Sequence, residues 1–444
     1  MIDNGPLNRR KFAAASAGAL TAAVARGAAS PNDKVVLALI GAGGRGSEVA
    51  WNTAQVKNVE FKYICDVDDT RGHEFTKRLE EKQGNTLKRV TDMRQVFDDK
   101  EVNGVIVATP EHWHSLATVW ACQAGKDVYV EKNISMSVAE GRKMIEAARK
   151  YNRIVQCGTQ NRSGPYALTA REYLQSGKLG KIILVKVYNL LGGGPWKPVP
   201  DSEPPTGLDW DQWLGPASAV PYNRGRHRGW YQFWDYKGGA LVDDGIHQLD
   251  LARMVLGDPP HPSAVYCAGG RLAYDDQRET PDLQVITYDY GSFVMTCESG
   301  TFTPYMKKFP KEVRYGTTWP NWPLSACRIE IYGTKGLMYL GRHGCGWQVM
   351  DESGKVVSED KGYFPDKWHQ PNFIDCMRTR SRPNADPEMV HPSACLVHMA
   401  NVAYRTGRRR LEFDAKTETF VNDDRANSFL KLAYRKRYRM PAAV

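Results

Sequence analysis

The chain has 444 residues, of which 42% are apolar and 25% charged, a globular composition with length enough for more than one core. Its formal charge of +10 is spread out, and the dense basic runs at 405–410 and 435–439 have no helix-turn-helix, zinc-finger or RNA-binding pattern beside them, so no nucleic-acid partner is expected. No apolar stretch is long enough for a membrane span, and nine cysteines without C-x-x-C spacing do not make a disulfide framework.

Residues 1–30 have the three-part layout of a bacterial export signal. Arg9-Arg10-Lys11-Phe12 precedes a mild apolar stretch at 13–25 and small residues at 26–30, which suggests the twin-arginine kind and a periplasmic or other extracytoplasmic destination. The alternative is a basic tail on a cytoplasmic protein. Cys65, Cys122, Cys157 and Cys297 fall inside expected buried elements, where a reduced cysteine is a small hydrophobe. That agrees with folding before export, a route by which a bound cofactor travels with the chain.

In residues 31–155 strands and helices alternate. A run of Val, Leu and Ile over 34–40, apolar on both faces as in a buried parallel strand, leads into G-A-G-G-R-G at 41–46. Gly41 suits a tight turn, Gly43 lets backbone approach a pyrophosphate, and Gly46 permits close helix–strand packing. Gly44 and Arg45 complete the loop, and a helix over 47–55 presents its positive N-terminal end to the same place. The alternating strand 59–65 ends in Asp66, 20 residues past Gly46. A carboxylate there accepts hydrogen bonds from ribose hydroxyls and repels a 2′-phosphate, which favours NAD over NADP. Asp68 and Asp69 read as a solvated turn. Helices 70–82 and 92–97, strand 104–108, helix 114–124, strand 126–130, helix 136–150 and strand 153–157 complete a doubly wound parallel sheet of the Rossmann type.

From residue 156 the texture changes. Longer, often alternating strands are expected at 182–188, 264–267, 283–289, 292–297, 328–332 and 336–340, the last two as a hairpin. They point to a large, open-faced, mainly antiparallel sheet with one face under helices. The expected fold is therefore α/β in three parts. A signal occupies 1–30, a dinucleotide-binding domain 31–155, and an α+β substrate-binding and oligomerisation domain 156–444, its C-terminal tail packing back on the first. Between 191 and 236 lies a long irregular stretch rich in Gly, Pro and Trp, a length that is usually functional or interface-forming. Its Trp196, Trp210, Trp213, Trp230 and Trp234, with Arg224, Arg226, His227 and Arg228, are of the types that stack on sugar rings and hold hydroxyls. Packing in a core or a subunit contact is the alternative.

Three clusters carry chemistry. T-P-E-H-W-H at 109–114 and E-K-N at 131–133 sit at the carboxyl ends of neighbouring strands, where such sheets bind ligands. In D-D-G-I-H-Q-L-D at 243–250, Asp243 and His247 are four apart and share a face if the stretch is helical. A lysine, an aspartate and a histidine beside a nicotinamide suit alcohol oxidation. Histidine takes the hydroxyl proton as hydride leaves the carbon, and lysine holds the hydroxyl oxygen. His112 and His114, flanking Trp113 without an acid or cysteine set, make a poor metal site, so no metal is expected.

Taken in order, and with Q-C-G-T-Q-N-R at 156–162 and I-Y-G-T-K-G at 331–336, these motifs make the chain resemble the Gfo/Idh/MocA oxidoreductases from residue 34 to its end. The resemblance implies NAD(P)-linked redox chemistry on sugars, polyols and their derivatives. By its motifs Lys132, Asp243 and His247 are catalytic. Gly41, Gly43, Gly44, Arg45, Gly46, Asp66, Thr109, Pro110, His114, Glu131, Lys132 and Gln160 hold the cofactor, and Lys132, Arg162, Trp230, Asp243 and His247 meet a carbohydrate substrate. It also implies a homo-oligomer, dimer or tetramer, paired through the open face of the second sheet. One departure is Asn133, which stands where the family motif E-K-P has proline and so frees the backbone and adds an amide. The expected function is NAD-dependent oxidation of a sugar, polyol or sugar derivative, with the cofactor tightly bound and recycled. The same residues also suit a glycoside-cleaving or epimerising enzyme that uses bound NAD transiently. A non-enzymatic scaffold is the third reading.

Overall fold

The computed structural model describes residues 34–442 and residue 444; the export-signal expectation for residues 1–30 lies outside them. Strands β1 (Val35–Ile40), β2 (Val59–Cys65), β3 (Lys88–Val90), β4 (Gly104–Val107), β5 (Asp127–Val130) and β6 (Val155–Cys157) form a parallel sheet in the order β3-β2-β1-β4-β5-β6. That is the doubly wound dinucleotide-binding order, and the β1–β4 junction is its switch point. Alternate residues feed two cores because successive strand side chains point to opposite faces. Leu37, Leu39 and Ile106 pack with Val49 and Ala50 of the Gly44–Thr53 helix, while Ile40, Val105 and Val107 pack with Leu116 and Val119 of the His114–Gln123 helix. The first helix begins at Gly44 rather than Ser47, since Gly43 O already accepts the Ser47 N–H at 2.9 Å. β3 has no apolar run to announce it; Lys88-Arg89-Val90 is a three-residue edge strand.

Two later helices return to this sheet. Phe373, Ile374 and Met377 of the Asp366–Thr379 helix join one core, and Val390 and Ala394 of the Pro387–Arg405 helix join the other.

The second sheet has ten strands. They are β7 (Ile182–Leu190), β8 (Ala264–Gly270), β9 (Leu283–Asp289), β10 (Val294–Gly300), β11 (Arg328–Gly333), β12 (Gly336–Gly341), β13 (Gly346–Met350), β14 (Val356–Asp360), β15 (Leu411–Asp414) and β16 (Thr419–Phe420). Their order is β14-β13-β12-β11-β7-β10-β9-β8-β15-β16, antiparallel throughout except for the parallel β7–β10 pair. One face is covered. Val185, Val187, Ile286, Met295 and Ile331 lie in a core with Leu249, Ala252 and Val255 of the Ile246–Val255 helix and with Leu396, Met399 and Ala400 of the Pro387–Arg405 helix. The other face leaves Ile183, Tyr266, Val285 and Val294 exposed.

The irregular stretch after β7 folds into short helical turns, among them Trp210–Leu214, Arg224–Arg228 and Trp230–Gln232. Most of its aromatics form a small core of their own, in which Trp210 stacks on Trp213 at 4.6 Å and Tyr222 and Tyr236 pack beside them. This unit is stitched to the first sheet. Asp68 bridges Leu208, and Asp209 N donates to Val67 O at 2.9 Å. The reading of Asp68 as solvated is therefore corrected: it is buried, its carboxylate taking the Thr70 hydroxyl at 2.5 Å and Arg71 Nε at 3.2 Å, while Asp69 stays exposed. All nine cysteines are buried and unpaired. Among the described residues no helix is long and apolar enough to cross a membrane.

Candidate active site

A cavity of about 480 Å³ opens over the carboxyl ends of β1, β2 and β4. Gly41, Gly43, Gly44, Arg45, Gly46, Asp66, Thr109 and Pro110, all expected at the cofactor, are among the residues that line it. Gly41 has φ +92°, and a side chain there would strike Ala108 O at 2.6 Å. A Cβ on Gly46 would sit 2.0 Å from Gly41 O, whereas Gly43 and Gly44 face open space. Backbone N–H groups at a helix N-terminus thus stand bare toward the cavity, as binding a pyrophosphate requires. Asp66 Oδ2 accepts Ala42 N–H at 2.7 Å and Oδ1 accepts Asp68 N–H at 3.0 Å, which aims the carboxylate and leaves each oxygen a further lone pair. Burial raises its pKa, against those backbone donors. The donor set, the open glycine cradle and the acid at the end of β2 fit an adenine dinucleotide.

Lys132 lies just beyond β5, and its Nζ contacts Asp243, the backbone carbonyl and, at 3.1 Å, Oδ1. A second lysine, Lys237, which no motif indicates, reaches the same Oδ1 at 2.8 Å and also pairs with Glu111. Glu111 and Lys237 are both buried; Asp243 keeps 40% of its side chain accessible. Burial pushes the Glu111 carboxyl up to about 7, with Lys237 and Lys132 opposing. Burial also opposes the charge on Lys237, but Asp243 and Glu111 outweigh it and hold the ammonium protonated. For Asp243 the two lysines overcome burial and keep the carboxylate ionised. The Lys237 ammonium lies 4.5 Å from the Trp230 ring, and Trp230 lines the dinucleotide cavity.

The Asp243 segment is not a regular α-helix. Leu241–Gly245 is a π-turn, and the α-helix starts at Ile246. Such wide turns occur often at functional sites, and this one shifts Asp243 out of simple i,i+4 register with His247. His247 is buried, with Nδ1 lacking a hydrogen-bond partner. Burial first, then Arg342 and Lys132, hold the imidazole neutral, with Asp244 opposing. Asp244 in turn pairs with Arg342 and Lys308. Sequence reasoning missed Glu111, Lys237, Asp244, Arg342 and Lys308. Asp244 sits inside a recognised motif, while the two basic partners lie in loops with no pattern.

Several expected contacts are redirected. His114 does not line the cavity: its ring nitrogens face Asn133 O at 2.6 Å and Thr109 O at 2.7 Å. Burial lowers it to about 4, so the neutral ring donates to one of these carbonyls at a time and ties the ends of β4 and β5 together. Glu131, Lys132 and Gln160 also lie outside the lining, as do Asp243 and His247. Glu131 Oε1 accepts Arg45 Nε at 3.0 Å and Gln160 Nε2 at 3.2 Å, a network that braces Lys132 next in sequence. Arg162, expected at the substrate, is 3% accessible and spends its guanidinium on Asp250 at 2.8–3.0 Å and Asp258 at 2.9 Å. That expectation is corrected, since its Nε and Nη2 donors face Asp250, Asp258 and Met389 O and the residue does not line the cavity. The Lys132–Asn133 peptide is cis, and the Asn133 amide bonds locally, to Ser135 O at 3.0 Å and from Ile134 N at 2.9 Å.

His112 Nε2 is bonded to Trp213 O at 2.8 Å, and both ring nitrogens of His114 face backbone carbonyls. A His261–Cys395–Glu418 cluster lies away from the cleft. Its Glu418 carboxylate takes Arg142 through both oxygens, with His261 Nε2 at 3.1 Å and His391 Nε2 at 3.0 Å, and so forms a hydrogen-bonded staple between helices and the β15–β16 turn.

Residues 35–159 match the Gfo/Idh/MocA oxidoreductase family in its NAD-binding Rossmann fold, residues 208–339 match a Gfo/Idh/MocA C-terminal domain, and 342–440 match the family's C-terminal alpha/beta domain. The scyllo-inositol 2-dehydrogenase (NAD(+)) of Bacillus subtilis is 26% identical over 302 residues, 66% of this chain and 72% of that enzyme. The myo-inositol 2-dehydrogenase of Thermotoga maritima is 22% identical over 350 residues, 77% of this chain and 86% of its own length. Among solved structures, the WlbA dehydrogenase of Bordetella pertussis, crystallised with NADH and UDP-GlcNAcA, superposes with a TM-score of 0.61 at 19% identity, covering 86% of this chain and 99% of that one. The aldose-aldose oxidoreductase of Caulobacter crescentus gives 0.62 at 20% identity, with 86% and 100% covered. With both sheets matched in order and a dinucleotide cradle at the switch point, the chain belongs to the Gfo/Idh/MocA family of oxidoreductases.

Proposed function

We propose that the protein oxidises a CH–OH group of a sugar, polyol or sugar derivative with NAD. The observation that carries this reading is the meeting at 3.1 Å of Asp243 with Lys132, next in sequence to Glu131, whose carboxylate Arg45 of the glycine loop holds at 3.0 Å. The names of the inositol dehydrogenases to which the chain is similar support the substrate class. Gly41 to Gly46 would hold the pyrophosphate and Asp66 the adenosine ribose. The bound cofactor supplies a hydride acceptor for the carbinol carbon.

The chain's own groups handle the rest. Lys132 donates to the substrate oxygen and stabilises negative charge as it develops there. Its aim is set by Asp243, which Lys237 fixes from a second contact on the same oxygen. His247 is neutral, the form able to take the hydroxyl proton, and its unpartnered Nδ1 marks a buried polar position that a ligand or water can satisfy. Trp230 offers an aromatic face where the cavity nears Lys237.

The cofactor is read as resident and recycled, since the irregular stretch after β7 and Tyr438 of the C-terminal run wall the cavity together with the first sheet. Denaturing protein purified without added nucleotide and quantifying the NAD, NADH and NADP released tests this. Near-stoichiometric NAD(H) supports it, and protein that is empty and fails to bind NAD overturns the redox reading. Pairing of two copies through the second sheet is supported by the exposed Ile183, Tyr266, Val285 and Val294, and light scattering tests it. Export through residues 1–30 is tested by finding the mature chain, shortened at its N-terminus, in the periplasmic fraction.

A further inference from the structure

The Trp210–Leu214 turn contributes Gln212 and Trp213 to the wall of the dinucleotide cavity, although it lies far from the glycine loop in sequence. A turn of five residues has too little hydrogen bonding of its own to hold a fixed position. Two groups of residues hold it. From the first sheet, His112 Nε2 meets Trp213 O at 2.8 Å, and Trp113 Nε1 donates to Gln212 O at 3.1 Å. Gly215, which ends the turn with φ +49°, allows this approach, because a Cβ there would lie 2.2 Å from the Trp113 ring.

The second group comes from the end of the chain. Arg435 Nε donates to Gly215 O at 2.7 Å and its Nη2 to Asp211 O at 2.6 Å, while Nη1 pairs with the Asp211 carboxylate. Three donors of one planar guanidinium thus grip both ends of the turn, a geometry that lysine cannot copy. Tyr438 is buried, lines the cavity itself, donates to Asp211 Oδ2 at 3.3 Å and sets its ring edge-on to Trp113 at 5.3 Å. Arg435 is 20% and Asp211 55% accessible, so salt can screen the ion pair.

We propose that Arg435 and Tyr438 are positioning residues of the dinucleotide site, latching the Asp211–Gly215 turn against Trp113 so that Gln212 and Trp213 complete the wall over the bound cofactor. The latch rests on the reading of the cavity as an NAD site. It gives a role to the basic run at 435–439, beside which the sequence shows no nucleic-acid-binding motif. It also assigns cofactor retention to residues of the second half of the chain.

The test is the release rate of NADH from the full-length protein, followed by loss of tryptophan-to-NADH energy transfer after mixing with excess NAD. Arg435→Ala and Tyr438→Ala should each release NADH about tenfold faster than wild type, with the association rate little changed. Arg435→Lys should restore only part of the retention. The double variant Arg435→Ala/Asp211→Asn should fall short of the sum of the singles, since the two side chains are in contact. Raising the salt concentration should speed release from wild type and not from Arg435→Ala, a response that general loosening of the fold would not produce. Arg439→Ala, which removes a neighbouring charge, should release at the wild-type rate. Tyr438→Phe keeps the ring contact and guards against a misfolded Tyr438→Ala; it should stay within about threefold of wild type. Wild type that binds NADH, with Arg435→Ala releasing it at the wild-type rate and with the same salt response, overturns the latch alone. Wild type that binds no NADH overturns the NAD reading and the latch with it.

Discussion

Lys237 Nζ stands 2.8 Å from Asp243 Oδ1, the same oxygen that Lys132 Nζ meets at 3.1 Å. One carboxylate thus organises two ammonium groups of different accessibility, 14% for Lys132 and 4% for Lys237. The more open lysine is placed to touch substrate, and the buried one acts through Asp243. Lys132→Met should therefore lower kcat by about 10²–10³-fold with little loss of stability. Lys237→Met leaves Glu111 buried without its partner and should cost about 3–5 kcal/mol in denaturant unfolding. The pair of variants separates chemistry from support, and equal stability losses would contradict the assignment.

His247 is the proton acceptor in this account. Replacing it by alanine should lower kcat by about 10²–10⁴-fold while NADH binding, read by fluorescence, stays within about threefold of wild type. A variant that turns over normally removes His247 from the mechanism.

Arg162 is a structural residue. Its guanidinium is matched by Asp250 and Asp258 in a buried network. Arg162→Met leaves the buried Asp250 without its arginine, while Asp258 keeps Arg171 at 3.3 Å, and should destabilise the fold by about 3–5 kcal/mol, with KM unchanged for the molecules that remain folded. A raised KM with unchanged stability would return Arg162 to the substrate site.

His369 makes stability depend on pH. Its Nε2 faces Cys157 O at 3.0 Å and its Nδ1 faces the Ser163 hydroxyl at 2.8 Å, an arrangement suited to a neutral ring that donates at one nitrogen and accepts at the other. Burial lowers its pKa from 6.5 to about 4. Between those values the unfolded chain binds a proton that the folded chain refuses, so stability is full above about 6.5 and falls as pH drops toward 4. The loss from this one site is about 3 kcal/mol. Unfolding free energies at pH 7.5 and 4.5 should differ less for His369→Gln than for wild type, by about that amount.

The first sheet was legible because each of its features is local. The Val-Leu-Ile run of β1 and the glycines that follow announce strand, turn and helix within a dozen residues, and Asp66 closes the next strand. β3 was not, since Lys88-Arg89-Val90 pairs only along one edge and carries no apolar period. Lys132, Asp243 and His247 were found through motifs. Glu111 and Lys237 were missed as partners because their contact depends on how the irregular stretch folds over the first sheet, and nothing local specifies that. Arg162 was misplaced for the converse reason: a motif gives its position in the chain, while its direction is set by Asp250 on a distant helix. The Asp243–His247 spacing was read as one helical face, and the π-turn at Leu241–Gly245 altered that register.

The most direct test of the account is NADH formation from NAD by the purified protein offered a panel of inositols, hexoses and hexuronic acids, run beside His247→Ala with NADH binding measured for both. The account predicts NADH with at least one member of the panel for wild type, and formation at least about 100-fold slower in a variant that still binds NADH. Wild type that binds no NAD(H), or a variant that forms NADH as fast as wild type, would contradict it.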